Sequence, residues 1–492
     1  MVAIDIILPR DDVRRWQEIL VERLSRAGHD TAVRLEEPGG KAPWALDRIL
    51  AFEALLRRGG ADSLSARVAT MPSREASRPA DMTIDLTGND RATASPTLRV
   101  TFDGSPCVSA ALRTLAKGGL PELGIVLDGN PIDEASPMIC DRSIVSRGLD
   151  DVLARAITLT VSTACRFADG TGLPPGAVKT VTGVPHAAIS SSEILGPYAT
   201  TRLPQIARRT LRKFRRRPTH WHVGYRFADG PGVAETGTLA GAPWSLLPDD
   251  GTRYYADPFP VARDGRHYLF VEEYINATGK GVISAAVFGP DGVCGTPAPV
   301  LEEPHHLSYP QVFERDGETW MIPESSAGGE VSLYRAERFP DRWVLDRRLI
   351  EGRDISDATL LDTGNRLWLF GTERDGHGSP SDTLVVFSAE TLRGPWRPHR
   401  RNPILIDRAA ARPGGAFVKA GGRIFLPIQN GTYGYGSGLG LSEVVVLDDD
   451  RVQLTRPKPI EAARADWPYP GIHTLNRCGR LETIDGSVIS GR

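Results

Sequence analysis

The sequence predicts a multidomain chain: an N-terminal α/β region, read as a Rossmann-like open sheet, and a C-terminal all-β five-bladed β-propeller. Three observations carry this. A hairpin pattern recurs five times after Tyr254 at a spacing of about fifty residues, the mark of propeller blades. Ahead of it, over residues 1–170, short apolar runs alternate with helical patterns, as in an open α/β sheet. An alternating segment, Trp221, Val223, Tyr225 and Phe227, stands just before the first hairpin, placed to complete the last one.

In the N-terminal region, Val2 to Leu8 reads as a strand. Asp11 or Asp12 is placed to cap a helix whose Trp16, Ile19, Leu20 and Leu24 share one face, and Gly28 ends it. Thr31–Leu35, Met82–Leu86, Leu98–Phe102 and Leu123–Leu127 read as further strands. Leu46–Leu56, Val108–Leu115 and Val152–Cys165 read as helices. Two strands end in Thr87-Gly88-Asn89 and Asp103-Gly104-Ser105, the places where such sheets hold ligands. Neither is a G-x-G-x-x-G or Walker-type phosphate loop.

Residues 171–218 read as a linker, with Gly172, Pro174, Pro175, Gly176 and the Ser190-Ser191-Ser192 run. A basic segment closes it: Arg208, Arg209, Arg212, Lys213, Arg215, Arg216 and Arg217. Such a run suits a solvated helix, or contact with an anionic membrane surface.

Residues 219–492 hold the repeats. The first runs from Asp257 through a turn at Asp264-Gly265 to Tyr268-Leu269-Phe270-Val271. The others start at Tyr309, Asp357, Gly414 and Pro470. Each pairs two apolar runs across a tight turn, the pattern of a β-hairpin. Eleven positions after each start stands a bulky apolar residue: Tyr268, Trp320, Trp368, Phe425 and Leu481. The fifth repeat has two strands only, so the Trp221–Phe227 segment is expected to add an outer strand and close the ring.

Net charge is −2, which gives no reason to expect nucleic acid as a partner. Five scattered cysteines without paired spacing argue for a reducing compartment and offer no zinc motif, so no metal and no cofactor is expected. No run reaches the length of a membrane span, and no export signal opens the chain. The expectation is a cytoplasmic protein, peripheral at most at the inner membrane face.

Propeller hairpins start and finish at one mouth. The residues fifteen positions after each start are Glu272, Glu324, Thr372, Gln429 and Asp485. This gathers Asp257, Asp357 and Glu324 as catalytic candidates. Glu272, Glu273, Tyr309, His306, Arg412, Gln429 and His473 are candidates for binding substrate. Clustered carboxylates from separate strands suit glycosyl transfer, where one accepts a proton, one donates it, and a third tunes a neighbour. Tyr254, Tyr255, Tyr309 and Trp467 offer aromatic faces to a sugar ring, and the Gly431–Gly438 stretch reads as a loop over the mouth or a plain connector.

The Ala256-Asp257-Pro258 opening and the five repeats resemble the five-bladed propeller glycosidases, the arabinofuranosidases, xylosidases and fructofuranosidases. That resemblance implies a catalytic Asp at Asp257, a second at Asp357, and an acid for which Glu324 is the candidate. The series Leu307-Ser308-Tyr309-Pro310, Met321-Ile322-Pro323-Glu324-Ser325, Gly394-Pro395-Trp396, His399-Arg400-Arg401-Asn402-Pro403 and Arg412-Pro413-Gly414-Gly415 resembles the N-terminal propeller of glucosamine inositolphosphorylceramide transferases and bacterial relatives. The α/β region loosely resembles formyltransferase N-terminal domains but lacks their Asn–His–Asp signature between residues 80 and 140.

These readings converge on glycosyl transfer, furanosyl in the leading form, within glycan or glycolipid biosynthesis. The expected partners are a sugar donor and a carbohydrate or glycolipid acceptor. Asp257 is expected as base, Glu324 as acid and Asp357 as pKa modulator or sugar-hydroxyl anchor. A glycosidase on small furanosides and a non-catalytic module binding glycan or lipid headgroups are the alternatives.

Overall fold

The computed structural model describes all residues except 41, 58–62, 70, 75–77, 90–92, 171–188, 213–218, 464–465 and 489–492. Contacts divide the chain into two units. One holds Met1–Arg216 with His377–Ser379, the other Arg217–Gly376 and Pro380–Arg492.

The first unit is a six-stranded sheet flanked by helices. Its strands are β1 (Ala3–Pro9), β2 (Asp30–Glu36), β3 (Met82–Asp85), β4 (Thr97–Phe102), β5 (Leu123–Leu127) and β6 (Asn130–Ala135), in the order β2-β1-β3-β4-β5-β6. The first four pair in parallel; β5 and β6 join antiparallel. Strand β6 (Asn-Pro-Ile-Asp-Glu-Ala) escapes the sequence pattern because it is polar and largely solvated. It is set by the turn at Asp128 and Gly129, both left-handed.

Helix α1 (Arg15–Arg26) buries Trp16, Leu20 and Leu24 as expected, while Ile19 is half-buried. Its N-cap is Arg14 rather than Asp11 or Asp12. The Gln17 side chain accepts the Arg14 N–H at 2.8 Å, and Asp12 is drawn into an ion pair with Arg14 instead. Part of the expected linker is helical and packs on this unit. Tyr198 donates to buried Glu53 at 3.0 Å, and Arg202 Nε donates to the Leu115 carbonyl at 2.7 Å. Of the basic run, Arg208, Arg209 and Arg212 belong to the helix Leu203–Arg212; Lys213, Arg215, Arg216 and Arg217 lie outside the described residues. Among the described residues no helix is long and apolar enough to cross a membrane.

The second unit is a five-bladed β-propeller. The first two strands of the blades are Arg253–Arg263 with Arg266–Ile275, Ser308–Arg315 with Glu318–Glu324, Ile355–Asp362 with Leu367–Glu373, Val418–Ala420 with Arg423–Gln429, and Leu475–Cys478 with Leu481–Ser487. The fifth blade borrows its third strand, Trp221–Phe227, from the start of the unit, in register from Ser487↔Trp221 to Leu481↔Phe227. The ring thus closes through strands from both ends of the unit, as the alternating segment predicts.

Hydrophobic seams hold each blade against the next, because the inner strands are apolar on both faces. In blade 1, Tyr268 and Phe270 pack toward blade 2 with Tyr309, Met321 and Trp343, while Leu269 and Val271 pack toward blade 5 with Val223 and Leu481. Successive residues of a strand point to opposite faces, so one strand serves two seams. Of the residues eleven positions into the repeats, Tyr268, Trp320, Trp368 and Leu481 are buried in the seams, and Phe425 is half-buried with Arg423 over its ring.

Candidate active site

The mouth is built by a device repeated in three blades. Asp257, Tyr309 and Asp357 each have left-handed backbone, with φ of 48°, 46° and 52°. Each sits at a break in the register between the first two strands of its blade, a β-bulge. Asp tolerates this conformation; a bulky Tyr does not without strain of about 1–3 kcal/mol. The fourth repeat starts at Gly414, and the residue after it, Gly415, has φ 142°.

Each bulge aims its N–H at a carboxylate. Asp257 N–H donates to Asp485 Oδ2 at 3.0 Å, Tyr309 N–H to Asp257 Oδ2 at 3.3 Å, and Asp357 N–H to Glu324 Oε2 at 3.1 Å. Asp485 and Glu324 both stand fifteen positions into their repeats, so part of that series stitches one blade to the next.

On the side of blades 5 and 1, His473 lies between two carboxylates. Its Nδ1 is 2.7 Å from Asp485 Oδ2, off the line a hydrogen bond needs, and its Nε2 is 3.5 Å from Asp257 Oδ1. Burial disfavours the charged ring, but Asp485 and Asp257 outweigh it and raise the His473 pKa. Trp221 stacks on the imidazole at 3.9 Å. Thr474 Oγ1 donates to Asp257 Oδ1 at 2.7 Å. Burial pushes Asp257 up to about 6, with His473 opposing and Asp485 adding to the rise. Asp257, His473 and Asp485 are close enough to surround a cation. Both ring nitrogens of His473 face these carboxylates, which favours the protonated ring.

On the side of blades 2 to 4, Arg412 clamps Asp357: Nε donates to Oδ2 at 2.6 Å and Nη2 to Oδ1 at 3.2 Å. Arg412 Nη2 also lies 3.6 Å from Glu324 Oε2, and Nη1 donates to Ser381 at 2.9 Å. Gln429 Nε2 donates to Asp357 Oδ2 at 2.7 Å. Burial pushes Asp357 up to about 7 against the pull of Arg412. Glu324 accepts at both oxygens, from Asp357 N–H and from Ser326 Oγ at 2.9 Å.

Glu272 differs from both sides. It is 7% exposed, and His306 Nε2, 3.4 Å away, is the polar side chain that faces it. Gly281 N–H donates to His306 Nδ1 at 2.9 Å, which places the proton of a neutral ring on Nε2. Burial first, then the charges of Asp257, Glu324, Asp485 and Asp357, raise the Glu272 pKa well above the carboxylate range. A carboxyl whose protonated form is favoured in this way is equipped to donate a proton.

Several candidates take other roles. Glu273 points to the opposite face of its strand, where Arg253 Nη1 at 2.5 Å and Ser284 Oγ at 2.6 Å hold it. Tyr309 is fully buried; its hydroxyl accepts from Gly415 N–H at 2.7 Å and bonds Thr359 Oγ1 at 2.9 Å, and Thr359 donates to the Asp357 carbonyl at 2.9 Å. Tyr309 is therefore a tie between blades, with no face for a sugar. Tyr255 and Trp467 are buried in the seams. Tyr254 stacks on Tyr274 at 4.8 Å. The sequence reading passed over Asp485, Thr474, Trp221, Ser381 and Tyr435. The last comes from the Gly431–Gly438 stretch and, 47% exposed, stands over Arg412 with the guanidinium 5.1 Å from its ring centre.

The second unit is thus a five-bladed propeller with carboxylates from four blades at its mouth. Residues 248–463 match the family model of glucosamine inositolphosphorylceramide transferase 1, N-terminal, and the resemblance read in the sequence stands. Glucosamine inositolphosphorylceramide transferase 1 of Arabidopsis thaliana is 31% identical over 218 residues, which are 43% of this chain and 28% of that protein. The Oryza sativa subsp. japonica protein of the same name is 33% identical over 189 residues, 37% of this chain and 25% of that protein. The match therefore spans about a quarter of these relatives. Among solved structures, a thermostable family-43 glycoside hydrolase aligns at TM-score 0.35 with 14% identity, over 46% of this chain and 84% of the other. A family 117 glycoside hydrolase of Zobellia galactanivorans aligns at TM-score 0.34 with 12% identity, over 54% and 90%.

Proposed function

We infer that the propeller is a carbohydrate-active enzyme whose mouth transfers a glycosyl group in glycolipid or glycan synthesis. The observation that carries this is Glu272, a buried carboxyl faced by His306 whose burial and acidic neighbours, Asp257 first among them, raise its pKa and favour the protonated form. The acceptor hydroxyl attacks the anomeric carbon as the bond to the leaving oxygen breaks. Asp257, pushed up to about 6, takes the proton of the attacking hydroxyl. Glu272 delivers a proton to the leaving oxygen, a role the sequence suggested for Glu324. Glu324 instead uses both oxygens to hold Ser326 and the blade 3 bulge. Asp357, fixed by Arg412, anchors a sugar hydroxyl and sets the local charge, and exposed Tyr435 offers the ring face against which a sugar packs.

The relatives' name supports an amino-sugar donor and an inositol phospholipid acceptor as the substrate class. The furanosyl preference rests on the glycosidase resemblance in sequence. Arg208, Arg209 and Arg212 would bring the enzyme to an anionic membrane face, with a cytoplasmic location to match.

The test is a mass-spectrometric turnover screen of the full chain with nucleotide sugars, lipid-linked donors and aryl glycosides, beside Asp257→Asn and Glu272→Gln. Transfer that both variants abolish supports the reading. Release of sugar to water alone replaces it with a glycosidase. Ligand binding without turnover, unchanged in both variants, replaces it with a binding module.

A further inference from the structure

Among the described residues away from the carboxylates of the mouth, one group of side chains has the donor set and spacing of a transition-metal site. We propose that His220, His222 and Asp249 bind one divalent ion of the zinc class. His220 stands just before the third strand of blade 5 and His222 is its second residue, and their rings lie side by side, centres 4.8 Å apart. Trp221 between them turns to the other face and stacks on His473. Asp249 comes from the turn that leads into the first strand of blade 1.

His220 Nε2 is 2.9 Å and His222 Nδ1 3.9 Å from the same oxygen, Asp249 Oδ2. One donor atom from each residue lies within 4.8 Å of the other two. Ligands bound at about 2.0–2.1 Å to a tetrahedral ion sit about 3.3 Å apart. Small side-chain rotations reach that geometry.

The three side chains are held for the task. Asp249 Oδ1 accepts Gly251 N–H at 2.8 Å, which leaves Oδ2 turned to the imidazoles. His222 lies flat on Tyr469, ring centres 4.3 Å apart at 15°. His220 meets the edge of Tyr254 at 5.6 Å. Side-chain exposures of 31%, 26% and 15% leave solvent at the remaining coordination positions, as in three-ligand sites that keep one position open. Two imidazoles and a carboxylate favour zinc, cobalt or nickel over magnesium and calcium, which take oxygen donors. The carboxylate lies 27 residues beyond His222, in a turn with no motif, so the set comes together only in the fold. An ion here would join the borrowed strand of blade 5 to the entry of blade 1, where the ring closes.

The experiment strips the full chain with a chelator and titrates it with Zn²⁺ by calorimetry. Mg²⁺ is the control, and the visible spectrum of the Co²⁺ form reads the geometry. His222→Ala and Asp249→Asn remove ligands. His220→Gln keeps a hydrogen-bond donor for Asp249 while removing the imidazole. The proposal expects one Zn²⁺ per chain, no Mg²⁺ uptake, and loss of affinity by more than about tenfold in all three variants with unchanged circular dichroism. Even an outer-shell partner costs that much. No Zn²⁺ uptake by the folded wild type overturns it. So does uptake that all three variants retain, which places the ion elsewhere. So does wild-type behaviour in His220→Gln alone, which reduces that contact to a hydrogen bond.

Discussion

On the blade 5 and blade 1 side of the mouth, Asp257 faces an imidazolium; on the blade 2 to 4 side, Asp357 faces a guanidinium. Both aspartates sit on the same left-handed bulge, both N–H groups end on a carboxylate, and both side chains are buried. The difference lies in the counter-ion. Arg412 stays charged at any working pH and grips Asp357 with two hydrogen bonds. His473 holds its charge only because Asp485 and Asp257 raise its pKa, and it stands 3.5 Å from Asp257. A repeated backbone position thus carries two chemistries: a fixed anchor where the partner is arginine, and a proton-accepting carboxylate where the partner is histidine.

The contrast breaks most heavily at Arg412. Arg412→Ala leaves Asp357 and Glu324 buried without their cation, and urea unfolding should show a loss of about 3–5 kcal/mol. Arg412→Lys keeps the charge but loses the two-pronged grip, and should fall between the variant and the wild type. Tyr309→Phe comes next. It strands Gly415 N–H, while Thr359 Oγ1 keeps its bond to the Asp357 carbonyl, so a loss of about 1–3 kcal/mol is expected in the same assay.

Glu272→Gln should change stability in the opposite direction. The folded pKa of Glu272 lies above its unfolded value, so the folded state binds the extra proton. Wild-type stability is then fullest below the unfolded pKa of about 4.3 and declines as pH rises through the folded value. Glutamine carries no such dependence. The variant should melt higher than wild type near pH 8 and match it near pH 4, at about 2–4 °C per kcal/mol gained. The smallest effect is on a pH profile. His473→Gln removes the charge that holds Asp257 down, so the acidic limb of turnover should move to higher pH.

Much of this was legible from the order of residues. The recurring start, turn and apolar residue fixed the blade count, and the alternating Trp221–Phe227 segment foretold the closure. Counting fifteen positions placed Glu324 and Glu272 beside the aspartates, and Asp485 was in that same series. What decides their roles was not legible. Glu272 and Glu273 are neighbours of equal charge, and strand alternation alone separates a mouth residue from one buried against Arg253. Tyr309 looks like a sugar platform until the bulge turns its hydroxyl onto Gly415. The helices of residues 191–212 hid in a Ser-, Pro- and Arg-rich stretch, because their stability comes from packing on the α/β unit through Tyr198 and Arg202.

The central claim is that Glu272 is the proton-donating carboxyl beside Asp257. Infrared difference spectroscopy of the folded chain near pH 7, against Glu272→Gln, tests it directly. Beyond the partial carboxyl signal of Asp357, which titrates at about 7, the wild type should show a protonated carboxyl stretch that disappears in Glu272→Gln and survives in Glu324→Gln. A band lost only in Glu324→Gln, or no protonated carboxyl at that pH, would contradict it.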